Sequence, residues 1–211
     1  MLPRLIYITQ GATPEEHLVN LQKAIDAGVT FVQLRLKDID HLQLLETAKK
    51  AMQLCKANGV LFTINDYVDI AHELAADAVH VGLDDSSVAE VRQQLPRAII
   101  GGTANTLEHI RQRAKEAVDY IGLGPFRFTT TKKKLSPVLG LEGYVQLINA
   151  MKQQGIQIPV YAIGGITAND IEDLLKTGVY GVAVSGAITN AADPRQIINL
   201  LNTSTHVEHR R

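Results

Sequence analysis

The sequence is poor in several residue types and patterns, and each shortage excludes a class of protein. Cys55 is the one cysteine among 211 residues, which excludes an internal disulfide and a zinc site made of several cysteines and favours a reducing cytoplasm. Aromatic residues make up 5% of the chain, the net charge is −1 and no basic stripe is present, so no nucleic-acid partner is expected. No apolar run approaches the roughly 20 residues of a membrane span, and the segment from Met1 lacks a signal-peptide pattern. We therefore expect a cytoplasmic protein without a membrane partner.

What the sequence does have is a regular alternation of short, β-branched apolar runs with stretches of helical periodicity. Strands are predicted at Leu5–Thr9, Phe31–Leu36, Leu61–Asn65, Ala78–Val81, Ile99–Gly101, Tyr120–Leu123, Val160–Ile163 and Gly181–Val184. Helices are predicted at Glu15–Ala27, Asp40–Asn58, Val68–Leu74, Val88–Gln94, Leu107–Ala117, Gly143–Gln153, Asn169–Lys176 and Pro194–Leu201.

This alternation predicts the fold class. Strands that alternate with helices pair in parallel through right-handed crossovers. Eight such units in about 200–250 residues have the size of an α/β TIM (β/α)8 barrel, and a weak repeat at the entries to strands two, four, six and eight agrees with that fold. The alternative is an open doubly wound sheet. We expect a single barrel domain over residues 1–202 and a polar tail over residues 203–211.

Three polar residues lie along and just after the second strand, near the end where a barrel places its functional groups. Alternation along Gln33–Lys37 puts Gln33, Arg35 and Lys37 on one side of the chain. Two cations and an amide at the mouth of a barrel are suited to clamping an anion, and arginine offers a fork for phosphate oxygens. The competing interpretation is a set of surface salt bridges.

Carboxylates follow the next two strands. Asn65 and Asp66 come after strand three, and Asp85 comes after strand four. Acids from neighbouring strand ends can share a Mg²⁺ ion, which prefers a few carboxylates together with substrate phosphate oxygens. The competing interpretation is helix capping, because Asp66 and Asp85 each precede a helix.

Three further loops complete the predicted site. The segment 124–134 after strand six carries hydroxyls and lysines and has the length of a lid, or else it is a solvated basic loop. Glycine-rich turns follow strand seven at Gly164–Thr167 and strand eight at Ser185–Ile188, the positions of the phosphate-binding loops of barrels. Two anion sites in one barrel predict two phosphorylated substrates or one bisphosphate.

Taken together in their order and spacing, these motifs resemble the thiamine phosphate synthase (thiamine-phosphate pyrophosphorylase) family, from about Leu5 to Leu201. The motifs are Gln33-x-Arg35-x-Lys37, Asn65-Asp66, His80-Val81-Gly82-x-x-Asp85, Gly124-Pro125, Thr129-x-Thr131-Lys132 and Ala162–Ile166. The resemblance implies an enzyme that joins hydroxymethylpyrimidine diphosphate to hydroxyethylthiazole phosphate, or its carboxylate, and releases pyrophosphate and thiamine phosphate. The family chemistry is dissociative: the diphosphate leaves, and the thiazole nitrogen captures the pyrimidinylmethyl cation.

The resemblance also implies roles for individual residues. Gln33, Arg35, Lys37 and Asn65 are implied to hold the pyrimidine diphosphate, with Arg35, Lys37 and Lys132 as the catalytic candidates and Lys132 neutralising the departing pyrophosphate. Thr129, Thr131 and backbone groups of Gly165, Ser185 and Gly186 are implied to meet the thiazole phosphate. Asp66 and Asp85 are implied to bind Mg²⁺ as the cofactor. The implied partners are small molecules, and a homo-oligomer is left open.

The sequence departs from the family pattern at several positions, and these keep alternatives open. Thr103 retains the hydroxyl of the usual serine and joins the predicted substrate contacts, and Gly186 retains its backbone, whereas Leu83 and Asn105 replace the usual glutamine and histidine near the pyrimidine region. Phe128 stands where proline is usual. The alternatives are a thiazole tautomerase-like paralogue, whose catalytic histidine is replaced here by Pro125, and a non-catalytic barrel that binds thiazole phosphate.

Other titratable residues are given structural interpretations. The helical histidines are expected at the surface or in packing, because their spacing forms no metal triad; they are His17, His41, His72 and His109. His80, on strand four, is predicted to be a structural hydrogen-bonding residue, with support of a neighbouring site residue as the alternative. Cys55 is expected in the core.

Overall fold

The strands of the protein close into one parallel barrel. The computed structural model describes residues 1–128 and 137–203, and within them each strand pairs with the next and the last pairs with the first. The strands are β1 Leu5–Ile8, β2 Phe31–Leu34, β3 Leu61–Asn65, β4 Ala78–Val81, β5 Ile99–Ala104, β6 Tyr120–Leu123, β7 Val160–Ile163 and β8 Gly181–Val184. The predicted TIM (β/α)8 barrel is confirmed, and the open sheet is excluded by the pairing of β1 with β8.

Helices surround this barrel. They are α1 Pro14–Asp26, α2 His41–Ala57, α3 Val68–Leu74, α4 Val88–Gln94, α5 Leu107–Lys115, α6 Gly140–Gln153, α7 Ile171–Lys176 after a 3₁₀ turn at Ala168–Asp170, α8 Gly186–Thr189 and α9 Arg195–Thr203. No helix in the described part of the chain is both long and apolar enough to cross a membrane. Residue 203 is helical and residues 204–211 lie outside the description, so the predicted tail stays a prediction.

Most element boundaries differ from the sequence prediction by a few residues, and three differences in and around the site have physical reasons. β2 ends at Leu34, because the next amide, that of Arg35, donates to the Thr9 side chain and not to a neighbouring strand. β5 continues past the predicted end at Gly101 to Ala104, because residues 102–104 pair with β6. The short helix α8 was not predicted, since four residues are too few to show a helical period.

An aromatic layer packs inside the barrel. Phe31, Tyr120 and Tyr161 are fully buried, and Tyr120 meets the other two rings edge-on at centroid distances of 6.0 and 5.3 Å. Gly101 makes this packing possible, because a Cβ atom there would lie 2.1 Å from Cζ of Tyr120. A second apolar layer packs between the strands and the helices.

Candidate active site

A cavity of about 630 Å³ opens at the C-terminal ends of the strands, where the sequence predicts the site. Predicted site residues that line it are Gln33, Arg35, Lys37, Asn65, Asp66, Asp85, Thr103, Gly165, Ser185 and Gly186. The remaining predicted residues, Thr129, Thr131 and Lys132, lie outside the described residues. The structure therefore brings residues from both predicted anion sites to one cavity.

Polar side chains after β2 and β3 are cross-linked. The Gln33 amide donates to Oδ1 of Asn65 at 2.7 Å, and both residues are buried. The Lys37 ammonium lies 3.1 Å from Oδ2 of Asp66. Burial is the main influence on Arg35 and lowers the pKa of its guanidinium, while Asp66 and Asp38 act in the opposite direction. The buried Gln33–Asn65 pair and the Lys37–Asp66 ion pair line the same cavity, so these residues form one connected polar wall.

Asp66 and Asp85 face each other across the ends of β3 and β4. Burial raises the pKa of Asp66, and a hydrogen bond and repulsion from Asp85 raise it further, while Lys37 lowers it. Neither acid caps a helix: the N-cap of α3 is Tyr67 and that of α4 is Ser87. Two carboxylates held this close without a capping role are suited to sharing a hard cation.

Local backbone geometry aims these two acids. Asp66 adopts the left-handed region at φ 69°, which aspartate tolerates better than most residues, and its amide donates to the carbonyl of His80. Asp85 is tied down by the Gly82 amide, which donates to Oδ2 at 2.7 Å. A Cβ atom at Gly82 would lie 2.5 Å from that same oxygen, so a larger residue there would displace the Asp85 carboxylate.

His80 joins the cavity to the barrel interior. Its Nδ1 lies 3.2 Å from the Tyr120 hydroxyl and its Nε2 lies 3.0 Å from Oγ1 of Thr103. Burial raises the pKa of Tyr120, so the phenol stays protonated. The structure thus places His80 as the hydrogen-bonding residue that the sequence predicts, beside a site residue.

Glycines after β7 shape the opposite side of the cavity. Gly164 and Gly165 have φ of 99° and 67°, and Cβ atoms there would lie 2.8 and 2.9 Å from Cβ of Pro125 and Arg127, respectively. Arg127 donates to the Gly165 carbonyl at 2.8 Å and to Asp170 at 2.6 Å, which fastens the β6 loop to the β7 loop. Backbone groups are therefore exposed to the cavity without side chains covering them, as phosphate binding requires.

Residues after β1 also line the cavity, and the sequence reasoning missed them. His17, expected only at the surface or in packing, is buried in the wall with Nδ1 2.8 Å from Oγ1 of Thr9 and Nε2 3.1 Å from the Gly11 carbonyl. Thr9 accepts from the Arg35 amide at 3.2 Å, and Gln10 accepts from the Ser185 hydroxyl at 3.1 Å. The available signal was position alone: Thr9 and Gln10 directly follow β1, and Asn65 likewise lies at the end of β3.

The residues that depart from the family pattern differ in whether they line the cavity. Asn105 is buried in its wall and donates to the Gly124 carbonyl. Leu83 is half-buried outside the cavity lining, and Phe128 is 63% exposed. Of the three, Asn105 is the one that lines the cavity.

The closed barrel, the paired acids beside cationic residues and the glycine-rich loops after β7 and β8 define an α/β-barrel enzyme whose site is suited to phosphorylated substrates. A family model described as thiamine monophosphate synthase matches residues 5–188. The chain belongs to this thiamine monophosphate synthase family.

Individual relatives agree with the family match. A thiamine-phosphate synthase of Flavobacterium psychrophilum is 49% identical, covering 96% of this chain and 98% of its own length. That of Flavobacterium johnsoniae is 45% identical, covering 96% of each. Among solved structures, the thiamine phosphate pyrophosphorylase from Pyrococcus furiosus has a TM-score of 0.83 at 29% identity, covering 95% of this chain and 96% of its own.

Proposed function

We propose that the protein joins hydroxymethylpyrimidine diphosphate to hydroxyethylthiazole phosphate, or its carboxylate, to give thiamine phosphate and pyrophosphate. The observation that carries the proposal is the Asp66–Asp85 pair beside Lys37, in one cavity with the glycine-rich loops after β7 and β8. One side of the cavity supplies charges for a diphosphate, and the other supplies backbone groups for a monophosphate. The family and its thiamine-phosphate synthases support this assignment.

Mg²⁺ is the proposed cofactor, with Asp66 and Asp85 as its protein ligands. Their carboxylate oxygens are hard donors, and the repulsion that raises the pKa of Asp66 is relieved when a divalent cation lies between them. In the described residues, no group of three or more acidic, histidine or cysteine side chains is placed to hold a metal. Two carboxylates leave room for substrate phosphate oxygens, which is how Mg²⁺ is commonly held, and the ion would neutralise charge on the leaving pyrophosphate.

The chain's own residues bind, orient and stabilise. In the proposed reaction the bond between the pyrimidinylmethyl carbon and the diphosphate oxygen breaks, and that carbon then bonds to the thiazole nitrogen. Arg35 and Lys37, together with Lys132, stabilise the charge that develops on the leaving group. The cup formed by Gly165, Ser185 and Gly186 holds the acceptor close to the carbocation, so no nucleophilic side chain is needed.

The paired acids also favour the synthase over both alternatives. A tautomerase-like paralogue and a non-catalytic barrel that binds thiazole phosphate need no cation site, whereas this cavity contains two facing carboxylates. Pro125 stands where a tautomerase would carry its catalytic histidine. Location in the cytoplasm and assembly into a homo-oligomer stay predictions.

The function is tested by incubating the purified protein with the pyrimidine diphosphate, the thiazole phosphate and MgCl₂, and following thiamine phosphate by chromatography. We expect product that disappears in excess chelator and in Asp85→Asn. Product formed equally well with chelator refutes the Mg²⁺ assignment alone. If the folded protein binds thiazole phosphate but forms no product, the binding barrel becomes the better description, and Leu83 and Asn105 are the first residues to revert.

A further inference from the structure

Arg113 is a buried cation behind the cavity. It lies on α5, only 2% of its surface is exposed, and its guanidinium group donates in three directions. Nε donates to the Thr103 carbonyl at 3.0 Å, Nη2 donates to the Gly82 carbonyl at 2.7 Å, and Nη1 meets Oε2 of Glu116 at 2.7 Å. One side chain therefore bridges the C-terminal ends of β4 and β5.

Gly82 connects Arg113 to the Asp66–Asp85 pair. The Gly82 carbonyl accepts from Arg113, and the Gly82 amide donates to Oδ2 of Asp85. Both sides of this glycine are thus fixed, one by the guanidinium and the other by the carboxylate. Since glycine has the widest conformational freedom of any residue, a turn that starts at Gly82 needs such outside contacts to hold one geometry.

Burying Arg113 costs free energy, which its hydrogen bonds must offset. A buried guanidinium loses its hydration, and an apolar side chain on the inner face of α5, next to Ile110, would fill the same space without that loss. The neighbouring strand also makes room for it, because a Cβ atom at Gly102 would lie 2.7 Å from Cδ of Arg113. What the arginine adds is a planar fork of donors that reaches two carbonyls at once.

We propose that Arg113 is a positioning residue for the divalent-cation site: by bridging Gly82 and Thr103 it fixes the turn that aims the Asp85 carboxylate. The inference rests on the proposed function, in which Asp85 is a ligand of Mg²⁺. Arg113 itself does not line the cavity. Groups that orient metal ligands typically change metal affinity by about 10- to 100-fold when they are removed.

The test compares Arg113→Lys with Arg111→Lys. Lysine keeps the charge but has no planar fork, so it cannot reproduce both carbonyl contacts. Arg111 is the matched control, because it lies on the same helix but is exposed and pairs with Glu108 and Gln154. Each folded protein is titrated with Mn²⁺, a paramagnetic substitute for Mg²⁺, in the absence of substrates. Electron paramagnetic resonance measures the concentration of unbound Mn²⁺.

We expect the Mn²⁺ dissociation constant to rise about tenfold in Arg113→Lys and to stay within about twofold of the original in Arg111→Lys. In assays, the Mg²⁺ concentration for half-maximal activity rises in parallel, while the KM for thiazole phosphate is unchanged. An unchanged Mn²⁺ constant in a folded, less stable Arg113→Lys overturns the proposal and leaves Arg113 a purely structural residue.

A second variant covers the case in which Arg113→Lys does not fold. Glu116→Ala removes the third partner of the Arg113 guanidinium, at a partly exposed position. We expect it to weaken Mn²⁺ binding, but by less than Arg113→Lys does. No weakening there overturns the proposal. Catalysis by the unaltered protein without any divalent cation refutes the metal assignment itself and the role of Arg113 with it, so the two failures are distinguishable.

Discussion

The Lys37 ammonium lies 3.1 Å from the Asp66 carboxylate, so the loop after β2 supplies the counter-charge for an acid that follows β3. Asp66 also faces Asp85, and its position between a cation and a second acid defines the electrostatics of the site. A Mg²⁺ ion held by Asp66 and Asp85 would neutralise Asp66, which would leave the Lys37 ammonium available to pair with a diphosphate. The ion pair thus holds both Lys37 and Asp66 at the cavity before any ligand binds.

Substituting Lys37 by methionine should lower turnover about 10²-fold, the usual effect of removing one group that stabilises a developing anion. The same substitution should raise the pKa of Asp66 further, because Lys37 lowers it. Steady-state assays and a carbon-13 NMR titration of the Asp66 carboxyl measure the two effects. Lys49→Met, which breaks the surface pair with Glu73, is the control and should change neither. A normal turnover in Lys37→Met would remove Lys37 from the diphosphate clamp.

Asp66→Asn should stabilise the metal-free protein at neutral pH while it abolishes metal-dependent turnover. The pKa of Asp66 is raised above its ordinary value of 3.8, so the folded state holds this proton more tightly than the unfolded chain. The free energy of unfolding therefore falls as pH rises from about 3.8 through the raised pKa. An asparagine avoids that loss, because it does not ionise.

Urea denaturation in excess chelator measures this difference at several pH values. The stability advantage of Asp66→Asn should grow with pH through the raised pKa and then level off. If the variant is the less stable protein at neutral pH, the ion pair with Lys37 outweighs burial and repulsion, and the stated direction of the pKa shift is wrong.

Lys132→Ala should lower turnover by on the order of 10²-fold with little effect on thiazole phosphate binding. The expectation comes from the sequence motif, since residue 132 lies outside the described residues. Lys133→Ala is the matched control, because it removes the same charge from the next position. Equal, small effects of the two substitutions would support a solvated basic loop and not a lid that acts through Lys132.

Cys55 should be inert to thiol reagents in the folded protein. Burial on α2 raises the pKa of its thiol to about 12, and the reactive form is the thiolate. At pH 8 an aromatic disulfide reagent should therefore modify the native chain only at the rate of unfolding and should modify one thiol per chain at once in denaturing urea. Rapid, complete modification without denaturant would show that this part of α2 opens in the native state.

Much of the architecture was predictable because it depends on patterns among residues that are close together in the sequence. Apolar runs alternate with helical periods, and consecutive βα units in this number leave few topologies, so the barrel and the location of its mouth follow. That Asn65 and Asp85 would line the cavity was predictable because each one ends or follows a predicted strand, and Gln33 was predictable because it lies on the same side of the chain as Arg35 and Lys37. Position relative to the strands, and not composition, supplied that information.

The parts that were not predictable depend on partners distant in sequence. Gly101 indicated a strand end, yet its lack of a side chain accommodates Tyr120 from the next strand. Arg113 sits three residues after Ile110 on a buried helix face, which marks it as unusual, but nothing local shows that its acceptors are the carbonyls of Gly82 and Thr103. Contacts of this kind exist only after the barrel has closed.

The aromatic layer made by Phe31, Tyr120 and Tyr161 has a kinetic consequence. Because these buried rings pack against one another inside the barrel, we expect substrates and products to enter and leave at the C-terminal ends of the strands. In the proposed reaction, pyrophosphate that stays in the clamp blocks the next pyrimidine diphosphate, and thiamine phosphate blocks both substrates. The order in which the two products dissociate then determines the pattern of product inhibition, and the loops at the cavity opening affect the turnover rate.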